Sequence, residues 1–188
     1  MKNKLQIIFT LLLVSSISSY AKGQNGIYLS SADYIHNKLS YEGTTKISTH
    51  NFFWSMPTVT VKSDDKKYRL KKSSIYGYRN SKDEVYRFYN NTEYRIAEAG
   101  SIYIYVKERN IAMSKGYKVV NTYYFSTSAD GTILPLTIGN LRTVYNSNDK
   151  FRNAIDRLCD SEDICAFDSE RHTFKINYLY STTITGTN

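Results

Sequence analysis

Three arginines, Arg79, Arg87 and Arg95, recur eight residues apart in a tyrosine-rich stretch, SIYGYRNSKDEVYRFYNNTEYRIAEAGSIYIYVK, that runs from Ser74 to Lys107. A guanidinium offers a rigid fork of donors that matches a carboxylate or sulfate, and a tyrosine ring offers a flat face to a sugar. The chemistry suggested is therefore recognition of anionic groups. Eight is an even number, and side chains alternate along a pleated strand, so regular hairpins would place the three arginines on one solvent face beside Tyr103 and Tyr105. Upstream, in KYRLKK, Arg69 and Lys71 alternate with Tyr68 and Leu70, adding a second basic face. The candidate binding residues are thus Arg69, Lys71, Arg79, Arg87, Arg95, Tyr103 and Tyr105. The plainer reading of the same residues is a half-exposed sheet whose charges keep it soluble.

Signs of turnover are much weaker. A nucleophile elbow would read G-x-S-x-G, which is absent, and the 9 glycines are too scattered for a phosphate cradle. Asp83-Glu84 and the cluster from Asp160 to Asp163 are the obvious carboxylates. Placed across a cleft they would suit a hydrolase of envelope polymers, but both fall in turns, where solvated charge is ordinary. His172-Thr173 and Ser114-Lys115 have no third partner, and His36, His50 and His172 lack the spacing of metal ligands. No catalytic residue, metal ligand or cofactor is expected. Cys159 and Cys165, in CDSEDIC, are expected to form a structural disulfide if the chain is exported, since a redox pair would be spaced C-x-x-C.

Export is the reading of the first segment. Lys2 and Lys4 precede the apolar run LQIIFTLLLVSS, and small residues follow at Ser19 and Ala21, the layout of a signal peptide over residues 1–21. Residues 22–188 would then form a single α+β domain without a transmembrane segment, located in the periplasm, outside the cell or on its surface. The formal net charge is +8. Between Lys66 and Lys107 ten basic residues face only Asp83, Glu84, Glu93 and Glu98, whereas the flanking segments of the mature chain are balanced. A one-signed patch attracts polyanions. Outside the cytoplasm these are acidic polysaccharide, lipid headgroups and other envelope polymers, and a protein partner fits too; a structural subunit whose sheet edge pairs with another subunit is a further reading. Nucleic acid is not expected, because no groove-reading motif accompanies the charge.

The elements that must position these residues are mostly strands. Thr58–Lys62, KYRLKK and four runs between Ser74 and Lys107 are separated by Asn, Ser, Asp and Gly clusters, as in an antiparallel meander. YKVVNTYYFSTS and TILPLTI follow, with Asp130-Gly131 as the turn and Pro135 marking an edge. The fold class is α+β, with about seven or eight strands in a curved sheet or partly open barrel and two or three short C-terminal helices packed on it. Ser31, Asn140, Asn148 and Asp168 are the expected helix caps. The Asp168 segment also alternates like a strand. Phe52, Phe53 and Trp54 form an aromatic knot expected in the core.

GIYLSSADYIHNKLS, the SIYGYR…VYRFYNNTEYRI…IYIYVK block and LPLTIGNLRTVYNSNDKF resemble small exported proteins of Bacteroidetes bacteria that carry no assigned activity. The resemblance implies a periplasmic or surface location. It brings no site residues with it.

Overall fold

The protein is described here from a computed structural model covering residues 25–41, 46–49, 56–63, 65–158 and 164–185. The fold is α+β. A seven-stranded antiparallel sheet, open rather than closed into a barrel, has the order β1-β5-β6-β7-β8-β9-β10. Its strands are β1 (Gly26–Tyr28), β5 (Gly77–Arg79), β6 (Val85–Tyr89), β7 (Thr92–Ala99), β8 (Tyr103–Met113), β9 (Gly116–Ser126) and β10 (Leu134–Pro135). From β5 onward every neighbour in sequence is a neighbour in space, the meander expected. Pro135 lies on the last strand, where its missing N–H breaks no ladder.

Thr58–Ser63 (β3) and Lys66–Lys71 (β4) are strands, but they do not join the meander. With β2 (Lys46–Ser48) they form a separate three-stranded sheet of order β2-β3-β4. Alternation decides where it goes. Val59 and Val61 on one face of β3 are fully buried against Ile27, Ile75, Tyr78 and Phe88 of the main sheet and its lead-in.

The other cover is helical. α2 (Ile138–Val144), α3 (Asp149–Asp156) and α4 (Lys175–Thr185) present Leu141, Phe151, Ile155 and Ile176 to Ile102, Ile104 and Phe125. Each such side chain contributes about 1.5–3 kcal/mol of apolar burial. One face of the main sheet is therefore core, roofed at one end by the small sheet and at the other by the helices. No helix among the described residues is long and apolar enough to cross a membrane.

Several local expectations are corrected. α1 (Ser31–Ile35) is capped by Ser30, not Ser31: Ser30 Oγ accepts from the Asp33 N–H, and Asp33 reaches back to the Ser30 N–H in a capping box. α2 is capped by Thr137, whose hydroxyl accepts from the N–H of Asn140, the residue expected to cap. Asn148 does cap α3. Asp168 caps no helix. Its Oδ1 accepts from the N–H groups of Glu170 and Arg171 in the tight turn between β11 (Phe167–Asp168) and β12 (Thr173–Phe174), a hairpin that leads directly into α4. The tail is therefore helical from Lys175 to Thr185, although Ile176, Tyr178 and Tyr180 also alternate as a strand would, and strand pairing is confined to the two short runs before it. β8 continues six residues past Lys107, through ERNIAM, and with β9 makes a long two-stranded arm that sequence alternation did not show. The aromatic knot at Phe52, Phe53 and Trp54 and the signal segment lie outside the described residues. So does Cys159, and with it the expected bridge; Cys165 is half-buried, and burial pushes its thiol pKa up.

Candidate anion-binding face

Hairpin geometry decides the fate of the arginines. β5 pairs with β6 so that Gly77 opposes Arg87 and Arg79 opposes Val85, which puts Arg79 and Arg87 on one face. The β6–β7 connection is a two-residue turn, Asn90-Asn91, with φ of 49° and 59°, the left-handed pair that a type I′ hairpin requires. Its register sets Arg87 against Tyr94 and Arg95 against Tyr86. Residues directly opposite share a face. Arg95 is therefore on the core side, and Arg87 on the other, with Tyr103 and Tyr105. The expected single file of three arginines does not form.

Nor is the face that holds Arg87 open to solvent. Arg87 is 4 % exposed and Tyr105 fully buried. Arg87 Nη1 donates to the Tyr105 hydroxyl at 2.9 Å and Nη2 to the Gly131 carbonyl at 2.8 Å. The Tyr105 and Ser126 hydroxyls share a 2.9 Å hydrogen bond, and Ser126 Oγ donates to the Ser128 carbonyl at 2.6 Å. The guanidinium lies 5.5 Å from the Tyr76 and Tyr89 rings and 5.8 Å from that of Tyr105. Neutral acceptors and ring faces solvate this cation, which makes it a structural post rather than a ligand hook.

Arg79 is half-buried, donating to Asn37 Oδ1, ion-paired with Asp83 at 3.4 Å and lying over the Tyr28 ring. Tyr103 is half-buried with its ring edge-on to Tyr34 at 6.5 Å, and burial raises the pKa of both phenols, Tyr34's to about 12. Arg95 lines a depression of about 280 Å³ with Tyr86, Glu93, Val106, Lys107 and Glu108. Two carboxylates, an arginine, the Lys107 amine and the Tyr86 phenol line this polar hollow, and burial raises the pKa of that phenol to about 12. Among the described residues no group of three His, Cys, Asp or Glu side chains is placed to hold a metal ion.

Arg69 and Lys71 fare differently. Both are exposed on the outer face of the small sheet, opposite Thr60 and Thr58. The register extends that face in a way the sequence reading missed. Lys46 opposes Lys62, and Lys62 opposes Lys67, so three exposed lysines cross the sheet in one row. Neighbouring Cβ atoms in such a row are about 5 Å apart, and like charges in direct opposition are destabilising. None of the strand residues in KIS, TVTVKS and KKYRLK is acidic. Ser48, Thr58 and Thr60 add hydroxyls on the same side. The signal for Lys46 and Lys62 was present as polar residues alternating with Ile47, Val59 and Val61, but nothing short of the strand pairing joins them to Lys67.

The sequence reading also passed over Lys72. It is 2 % exposed, 5.3 Å over the Phe88 ring, and desolvation lowers its pKa, partly countered by the nearby charge of Glu93. It is a buried post, not part of the outer row.

Comparison with protein-family models, with curated proteins and with solved structures returned no match.

Proposed function

We propose that the protein is an exported, non-enzymatic binding protein that holds an anionic polysaccharide of the cell envelope on the outer face of its three-stranded sheet. The observation that carries this reading is the row Lys46–Lys62–Lys67 flanked by Arg69 and Lys71, on strands without an acidic residue. Exposed lysines set in direct opposition concentrate positive charge on one face, and a one-signed face attracts a polyanion laid across it. Carboxylate or sulfate groups repeating along a sugar chain fit a flat, periodic array better than a closed pocket, and the threonine and serine hydroxyls supply uncharged hydrogen bonds to the same chain. The tyrosine-rich face first considered has its cation buried and so has less to offer.

The test is retention on immobilised dextran sulfate and polygalacturonate across a salt gradient. Affinity is expected to fall steeply with ionic strength, because exposed charges are screened beyond about 10 Å at 0.1 M salt. Joint substitution of Lys46, Lys62 and Lys67 by Gln is expected to weaken binding about tenfold, at a few tenths to 1 kcal/mol for each exposed charge. Arg95→Gln, away from the row, serves as the control and should change little. Equal retention of the triple variant and the parent would remove the row from the argument. With export goes the Cys159–Cys165 bridge, and thiol titration of protein recovered from an oxidising compartment should find neither cysteine free.

A further inference from the structure

The outer half of the β8–β9 hairpin stands clear of its neighbours. β7 pairs with β8 only from Tyr103 to Val106, and β10 pairs with β9 at Tyr124 and Phe125. Among the described residues, β8 and β9 therefore pair only with each other from Lys107 to Thr122. A two-stranded ribbon is marginal on its own in water. This one also carries apolar side chains into solvent on both faces, Tyr117 (78 %) and Val119 (58 %) on one, Ile111 (48 %) and Met113 (57 %) on the other.

Its two edges differ in chemistry. The β8 edge begins with Lys107, Glu108 and Arg109, and charge is the usual means by which an edge strand refuses partners. The β9 edge, GYKVVNT from Gly116 to Thr122, has Lys118 as its one charge and is rich in β-branched residues. Backbone direction along it can be read from its far end, where the Leu136 N–H donates to the Tyr123 carbonyl at 3.0 Å. Successive residues of an antiparallel strand turn their N–H and C=O groups to alternate sides, so those of Asn121, Val119 and Tyr117 also point to the outer edge.

We propose that a second copy of this chain docks there, the two β9 edges pairing antiparallel about a two-fold axis through Val119. In that register Val119 meets its counterpart and Tyr117 meets Asn121, so every outward N–H and C=O from Tyr117 to Asn121 is paired. Lys118 falls opposite Val120. An axis through Lys118 would instead set two lysines face to face. An axis through Val120 would call on the Tyr123 carbonyl that Leu136 already occupies. Self-complementarity of one patch is what a two-fold dimer needs, and it favours a second copy over an unrelated extended peptide.

Sedimentation of the purified chain from micromolar to hundreds of micromolar is expected to give twice the chain mass. Val119→Pro removes the outward N–H at the axis while remaining tolerable on an edge, and should give a monomer with an unchanged far-UV circular dichroism spectrum. Val119→Cys, in a chain carrying Cys159→Ser and Cys165→Ser, sets two thiols across the axis with Cα atoms about 5.5 Å apart, within disulfide range. Oxidation of that variant should give a covalent dimer on a non-reducing gel. A single-chain mass at every concentration, a dimer that survives Val119→Pro, or no cross-link in the cysteine variant would each overturn the proposal.

Discussion

Arg87 shows how little a side chain's type says about its role until its partners are known. In the sequence it is one of three cations at an even interval; in the fold it is a buried strut between Tyr105 and the Gly131 carbonyl. Arg87→Met keeps much of the volume but orphans both acceptors. It is expected to cost about 2 kcal/mol, since hydrogen bonds to charged groups are worth about 1.5–3 kcal/mol each and the relieved desolvation of the cation offsets part of the loss. Urea denaturation, read as a lower midpoint at constant slope, checks it. Alternation along each strand was legible, as Tyr86 and Phe88 against Val85 and Arg87 show. Whether Arg95 joins Arg87 depends on the length of the Asn90-Asn91 turn, because a one-residue change of register exchanges the faces. That choice is a property of the hairpin, and no arginine records it.

At the scale of elements, a buried amide ties α4 to the sheet. Asn177 Oδ1 accepts from the Ile102 N–H, and its Nδ2 donates to the Ile102 carbonyl, both at 2.8 Å, at the entry to β8. Glu98 adds a second tie, accepting from Thr173 Oγ1 at 2.6 Å and the Phe174 N–H at 2.7 Å. Asn177→Ala leaves two backbone groups of Ile102 buried without partners, and is expected to cost about 2–3 kcal/mol. Amide exchange should quicken first in α4, while Val59 and Val61 in the small sheet keep their protection. The meander strands up to Lys107, the α3 cap and the C-terminal position of the helices were readable from period and punctuation, whereas β2, the outer half of β8 and the β11–β12 hairpin were not. The division into two sheets was not, because β3 and β4 carry the same alternation as meander strands and only the packing of Val59 and Val61 separates them. The lysine row has the same origin: pairing between β2 and β3 spans residues far apart in sequence.

The molecule as a whole is a tyrosine-lined sheet, and its response to alkali follows. Burial holds the phenols of Tyr76, Tyr78 and Tyr145 well above their ordinary value and pushes Tyr34 and Tyr86 up to about 12. A group whose pKa is raised by folding adds stability that is intact below the unfolded value of 10.0 and is lost as pH climbs through the folded one. Lys72 works in the opposite sense: its depressed pKa costs stability at neutral pH, and that cost fades as pH rises towards 10.5. One lysine is outnumbered by the tyrosines. Tyrosinate absorbance is therefore expected to lag behind that of free tyrosine and then rise together with loss of circular dichroism in one cooperative step above pH 10; a gradual titration of independent phenols would contradict this. Among the described residues the two roofs over the core face, helical at one end and stranded at the other, share no buried side chain in their clusters. Opening of one roof is therefore expected to leave the other closed, which hydrogen exchange would register as two separate levels of protection. What neither motion disturbs is the opposite surface, where Arg87, Tyr105 and Ser126 remain locked, leaving a scaffold on which either half can close again.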